Sequence, residues 1–178
     1  MVFSHPFRLW LLPSFGLLAA MAAWGAVRYP RLPDRIPGHF GLTGVDAWTD
    51  RSVGSAFVMV FLYAGLTLVM AGSAELSLRL TPRDELAARG GAPFALHGPA
   101  STASSLVNRP ASRVAARRIA RSLLVMNLCF GVAFLAGGAS TWYTAPGQQV
   151  PWWLTATTFA MLLFGIAHVL VVALRNRK

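Results

Sequence analysis

Residues 152–174 read WWLTATTFAMLLFGIAHVLVVAL, a run without a Lys, Arg, Asp or Glu. A hydrocarbon core of about 30 Å is crossed by roughly 20 helical residues, so this run is long enough to span it. A helix at the surface of a water-soluble core would place polar residues on one face at the 3.6-residue period instead. Three more stretches share the property, Leu9 to Val27, Val53 to Ala74 and Ser122 to Tyr143. The expectation is an all-α membrane protein with four transmembrane helices and an irregular Pro-rich extracellular loop between the first two. Pro13 lies near the start of the first run, where a missing backbone donor costs least. The flank after Val27 is Arg28-Tyr29-Pro30-Arg31 rather than a small-residue cleavage site, so the first span is expected to be retained.

Of the 178 residues, 55% are apolar and 12% charged, with a formal charge of +10. Such a charge raises nucleic-acid binding, but the basic residues flank apolar runs and form no recognition motif, so nucleic acid is not an expected partner. The lone Cys129 lies inside an apolar run, which excludes an intrachain disulfide or a CxxC site. Orientation follows from basic residues in the connections. Arg8 precedes the first span; Arg28, Arg31, Arg35 and Arg51 flank the first loop; Arg79, Arg83, Arg89, Arg109, Arg113, Arg117, Arg118 and Arg121 fill the second; Arg175, Arg177 and Lys178 end the chain. Placing both termini in the cytoplasm puts twelve basic residues inside and four outside. Trp24, Tyr29, Trp48, Trp142, Tyr143, Trp152 and Trp153 then gather near the outer interface, where amphipathic rings prefer to sit.

Three segments are expected: a two-helix module over 1–75 with its extracellular loop at 28–52, a basic cytoplasmic loop over 76–121, and a C-terminal helix hairpin over 122–178. Glu75 to Arg89 extends the second helix, with Glu75 and Arg79 paired at i, i+4. Gly90 to Ser105 reads as a flexible loop. Pro110 opens an amphipathic stretch in which Val114, Ile119 and Leu123 lie among arginines. Arg109, Arg113, Arg117, Arg118 and Arg121 are the candidate lipid-binding residues, being juxtamembrane and basic.

Residues 29–48 read YPRLPDRIPGHFGLTGVDAW. Pro30, Pro33 and Pro37 fix φ and push Tyr29, Leu32 and Ile36 toward extended backbone, so the strip cannot be a regular helix. Gly41 and Gly44 allow positive-φ turns, and Asp46, Thr49, Asp50 or Ser52 can cap the following helix. Asp34, His39 and Asp46 are the acid and imidazole groups of this loop, yet turn hydrogen bonding explains them better than metal ligation, and no metal or cofactor is expected.

The combination Tyr29-Pro30, Leu32-Pro33-Asp34, Ile36-Pro37, His39-Phe40, Gly44, Asp46 and Trp48 resembles the domain of unknown function 1648 family, found in SdpI-like membrane immunity proteins, over roughly residues 9–75. Trp48-Thr49-Asp50-Arg51 departs from the family's Gly-Ser-Lys type of ending, and larger SdpI-like members have more spans. The resemblance implies a noncatalytic bacterial plasma-membrane protein whose loop recognises a peptide toxin or another membrane protein. Asp34, His39, Phe40, Asp46 and Trp48 are the expected ligand contacts, and Pro30, Pro33, Pro37, Gly41 and Gly44 hold the loop.

The alternative is a signalling or assembly subunit that docks a cytoplasmic partner; a small transporter or intramembrane enzyme ranks below both, because no span carries a charge. Polar candidates at bilayer depth are Asn127, Ser140, Thr141, Thr155, Thr157, Thr158 and His168, most of them suited to interhelical hydrogen bonds. Gly16 with Ala20, and Gly131, Ala136, Gly137 and Gly138, favour close helix packing within one chain or in a homo-oligomer.

Overall fold

Once a helix is surrounded by apolar neighbours, small side chains decide which helix can sit in the middle, because only they let backbones approach closely. The stretch from Arg113 to Tyr143 is the one richest in buried Ala, Gly and Ser, and the computed structural model places it at the centre. The structure describes residues 5–41, 44–89, 109–146 and 148–175. In chain order the elements are α1 (His5–Arg28), a 3-10 turn (Tyr29–Arg31), β1 (Arg35–Phe40), β2 (Val45–Asp50), α2 (Val53–Ala56), α3 (Val58–Arg79), α4 (Arg83–Arg89), α5 (Arg113–Tyr143) and α6 (Trp152–Arg175). Four of them, α1, α3, α5 and α6, are long and apolar enough to cross a membrane.

Helix α5 packs against α1, α3 and α6. At Gly131 the approach is closest: a Cβ there would run into the ring and hydroxyl of Tyr63 and into Leu17. By contrast α6 buries only Leu154 and Gly165, the latter against Met126 and Cys129, and leaves Phe159, Leu163, Phe164 and Leu170 exposed. Such a surface suits hydrocarbon, since lipid tails are as apolar as leucine.

Two boundaries differ from the sequence expectation. The second apolar run breaks at Phe57 into α2 and α3, and α5 begins at Arg113 rather than Ser122. Ser112 explains the latter, because its hydroxyl caps the helix by accepting from the Ala115 N–H and the basic stretch then continues into the apolar run without a breaker. Ser52 is the cap of α2, in a reciprocal capping box with Ser55. The expected Gly90 to Ser105 loop lies outside the described residues.

The larger correction concerns the Pro-rich segment, which is not irregular. Strands β1 and β2 pair antiparallel, with Arg35 opposite Asp50, Ile36 opposite Thr49, Pro37 opposite Trp48, His39 opposite Ala47 and Phe40 opposite Val45. The fold is therefore helical with one small sheet, not purely α. Extended backbone before Pro37 is what a strand needs, and a two-stranded ribbon has edges on which a residue without an N–H is tolerated. The register shifts on both sides of His39, so inward and outward positions do not alternate simply. Gly44 has a positive φ of 141° in the turn. Gly41 does not; there a Cβ would fall on the carboxylate of Asp46, so the glycine makes room for a side chain instead.

Candidate recognition hairpin

One face of the hairpin is built into the bundle. Leu32 and Ile36 are buried in a cluster with Met21, Ala56, Val60, Tyr63 and Trp142. Full burial of a side chain the size of Ile36 is worth about 1.5–3 kcal/mol. Trp142 closes the cluster, and its indole Nε1–H donates to the Ala56 carbonyl at 2.8 Å, which satisfies the polar handle of a buried ring. Around it Trp24 and Trp142 have ring centroids 5.9 Å apart, and the Trp24 indole donates to the Tyr143 hydroxyl at 3.2 Å. Trp142 is thus a core residue at this end of the bundle.

Two arginines brace this end, Arg51 at the base of the hairpin and Arg28 between α1 and the end of α5. Arg51 donates to the Leu32 carbonyl at 2.6 Å and to Asp34 Oδ1 at 3.4 Å, while its guanidinium lies 5.9 Å from the Tyr29 ring centroid. Arg28 donates to the Trp142 carbonyl at 3.2 Å and stacks 4.1 Å over the Tyr143 ring. The planar, delocalised guanidinium is suited to this combined carbonyl and aromatic contact. Of the prolines, Pro30 starts the 3-10 turn, Pro33 is exposed and Pro37 is buried.

The opposite face is a polar rim. His39 Nδ1 lies 3.4 Å from Asp46 Oδ2, with side chains 70% and 49% exposed. Phe40, which follows His39 on β1, and Trp48, opposite Pro37 on β2, are half-buried. Asp34 does not join this group: it precedes the base of β1 and sits with Arg51. Five residues of strand separate it from His39, roughly 16 Å at the usual rise. The hairpin therefore brings His39 and Asp46 together, sets Trp48 opposite the buried Pro37 and Phe40 opposite Val45, and leaves Asp34 to the base. Among the described residues no three His, Cys, Asp or Glu side chains form a cation cluster.

Within the bundle, a polar layer joins three helices. The Asn127 amide donates to Ser14 Oγ at 3.0 Å and to Thr67 Oγ1 at 3.2 Å. Asn127 was expected to matter, whereas its partners Ser14 and Thr67 were not, since sequence separations of 113 and 60 residues leave no local signal. The buried Tyr63 hydroxyl lies next to Ser14 and Thr67, though no hydrogen bond of good geometry reaches it among the described residues. Ser140, Thr141 and Thr158 each donate to the carbonyl four residues earlier in their own helix. His168 stacks on Phe164 with centroids 6.3 Å apart.

At the far end a clasp joins α3, α4 and α5. Arg113 binds both carboxylate oxygens of Glu85, at 2.7 and 3.0 Å, and donates to the Leu78 carbonyl at 3.1 Å. Arg109 donates to the Thr81 carbonyl at 3.3 Å. The N–H groups of Arg83 and Asp84, which open α4 and have no partner within it, donate to the carbonyls of Pro110 and Ala111. The expected i, i+4 pair is present, with Arg79 Nε 2.6 Å from Glu75 Oε1.

Residues 16–63 match the sequence model of a family described as a domain of unknown function (DUF1648), a segment that takes in most of α1, the whole hairpin, α2 and the start of α3. No curated protein and no solved structure matches the chain.

Proposed function

We propose, from the match of residues 16–63 to DUF1648 and from the anchored hairpin, that the chain is a noncatalytic multi-pass protein of the bacterial plasma membrane that recognises a peptide at its outer face. The observation that carries this reading is the division of the hairpin into two faces. Leu32 and Ile36 are locked into the bundle, while His39 and Asp46 stand out from it on a strand pair held by Arg51. A rigid support with an exposed polar pair at its rim is the arrangement a binding element needs, because little ordering entropy remains to be lost on binding. Immunity to a secreted peptide toxin is the role that the resemblance of residues 29–48 to SdpI-like proteins implies.

The orientation with both termini in the cytoplasm is supported by charge. Residues 28–51 carry Arg28, Arg31, Arg35 and Arg51 against Asp34, Asp46 and Asp50, a net +1; the twelve basic residues and three acids, Glu75, Asp84 and Glu85, in the rest of the sequence give +9. The noncatalytic reading is supported by the polar layer, whose amide and hydroxyls bond to one another across helices as a packing device does.

The test compares survival and membrane potential of cells with and without the protein during exposure to toxic peptides secreted by related bacteria. Protection should depend on the chain and should be lost in a stably inserted His39→Ala/Asp46→Asn variant. Equal sensitivity with and without the protein across the peptide panel would instead favour a signalling or assembly subunit. That second reading has one specific support, the ordered clasp of α4 against α3 and α5, which gives the cytoplasmic end a defined shape for a partner.

A further inference from the structure

The five arginines between positions 109 and 121 do not share one environment. Arg109 and Arg113 belong to the clasp. Arg117, Arg118 and Arg121 are exposed, and no hydrogen bond or ion pair holds them among the described residues. Nor does the sequence supply a carboxylate for them. Of the three acids at this end, Glu75 is taken by Arg79, Glu85 by Arg113, and Asp84 accepts from the Glu85 N–H; positions 1–4 and 90–108 contain no acid at all. Arg117 and Arg121 lie one turn apart on α5 and so share a face. The Arg121 guanidinium sits 5.6 Å from the ring centroid of Trp10 on α1. Further into α1 than Trp10, on the bilayer side in the orientation proposed above, Leu12 and Phe15 are 59% and 50% exposed and continue the surface as an apolar one.

We propose that Arg117, Arg121 and Trp10 form a binding site for the phosphate headgroup of an anionic phospholipid, with Arg118 at its edge. Guanidinium groups bind phosphate oxygens in a bidentate fork, and unpaired positive charge calls for an anionic ligand. The apolar flank selects a lipid over a free ion, because Leu12 and Phe15 offer contact to an acyl chain and nothing to inorganic phosphate. Trp10 belongs at the boundary between the two, where the indole covers apolar surface and holds Arg121 in place. This site rests on the membrane reading given above but not on recognition by the hairpin.

The full chain is incorporated into phosphatidylcholine nanodiscs containing brominated phosphatidylglycerol or brominated phosphatidylcholine of the same chain length, and quenching of the Trp10 signal is taken as the difference between the wild type and Trp10→Phe. Each arginine near a lipid surface contributes about fivefold in affinity, so phosphatidylglycerol should be preferred by about 25-fold through the pair. Arg117→Gln/Arg121→Gln should abolish the preference, Arg117→Lys/Arg121→Lys should keep part of it, and the charge-matched control Arg31→Gln/Arg35→Gln should keep all of it. Equal quenching by the two lipids overturns the site, as does a preference that survives the glutamine pair or is lost in the control pair. Displacement of the brominated lipid by millimolar inorganic phosphate also overturns it, in favour of an ion site. A wild-type chain that fails to enter nanodiscs would overturn the membrane reading itself, a different outcome from entry without lipid preference.

Discussion

Arginine does opposite work at the two ends of this molecule. At the hairpin end Arg28 and Arg51 are built into the structure, each donating to a backbone carbonyl and lying over a tyrosine ring. At the other end Arg113 clasps Glu85, but Arg117 and Arg118 face outward with no acid left to meet them. Residue type and net charge are therefore poor guides to role. What decides it is whether the fold supplies an acceptor: at one end the turn after α1 offers the Leu32 carbonyl and the last turn of α5 the Trp142 carbonyl, neither of them used within a helix, whereas around Arg117 and Arg118 the carbonyls of α5 are bonded within the helix.

The comparison implies that the hairpin end carries more of the stability, and the largest effect should come from its keystone. Trp142→Ala removes a buried ring from the cluster beneath the hairpin and leaves the Ala56 carbonyl without its donor. A loss of about 3–5 kcal/mol is expected from truncating a buried aromatic, visible as a lower thermal unfolding midpoint in detergent micelles. A variant that unfolds like the wild type would mean that the hairpin is not braced through this ring.

Arg51→Gln should come next. Its charged donor holds the Leu32 carbonyl, but the side chain is partly exposed and its bond to Asp34 is long. After discounting for solvent, about 1–2 kcal/mol is expected, with faster proteolysis near the hairpin base as a second readout. Arg113→Gln at the opposite end should cost less than Arg51→Gln. Unlike Arg51→Gln, it should also matter less as salt is raised, because both partners of the Glu85 pair are solvent-accessible and their attraction is screened. If Arg113→Gln proved the more damaging, the basic end would be the better-built one and the comparison would invert.

Much of this was readable from residues alone, and the failures share a cause. The four apolar runs, the Glu75–Arg79 pair and the Ser52 cap depend on neighbours within a few positions, and all appear in the structure. The extended backbone of the Pro-rich strip was equally local. Its pairing was not: β1 carries a proline, its burial does not alternate, and its turn lacks the Asn-Gly or Asp-Gly that announces a hairpin. The partners of Asn127, the core position of Trp142 and the separation of Asp34 from His39 likewise depend on which elements meet. Composition cannot reveal that.

The smallest structural effect should fall on the rim, and Gly41→Ala sharpens the contrast between its inner and outer faces without touching a charge. The new methyl would meet the carboxylate of Asp46, which is the far end of a partly exposed side chain and can swing aside. Gly41 needs no positive φ, so alanine adds no backbone strain. Stability should then change by less than about 0.5 kcal/mol, as for most surface substitutions. Asp46 would nevertheless be displaced from His39, and with it the geometry of the proposed recognition surface. Protection against a peptide that requires the rim should fall while the unfolding midpoint holds. A Gly41→Ala chain that protects as well as the wild type would show that the His39–Asp46 pair is not read by the ligand, however exposed it stands.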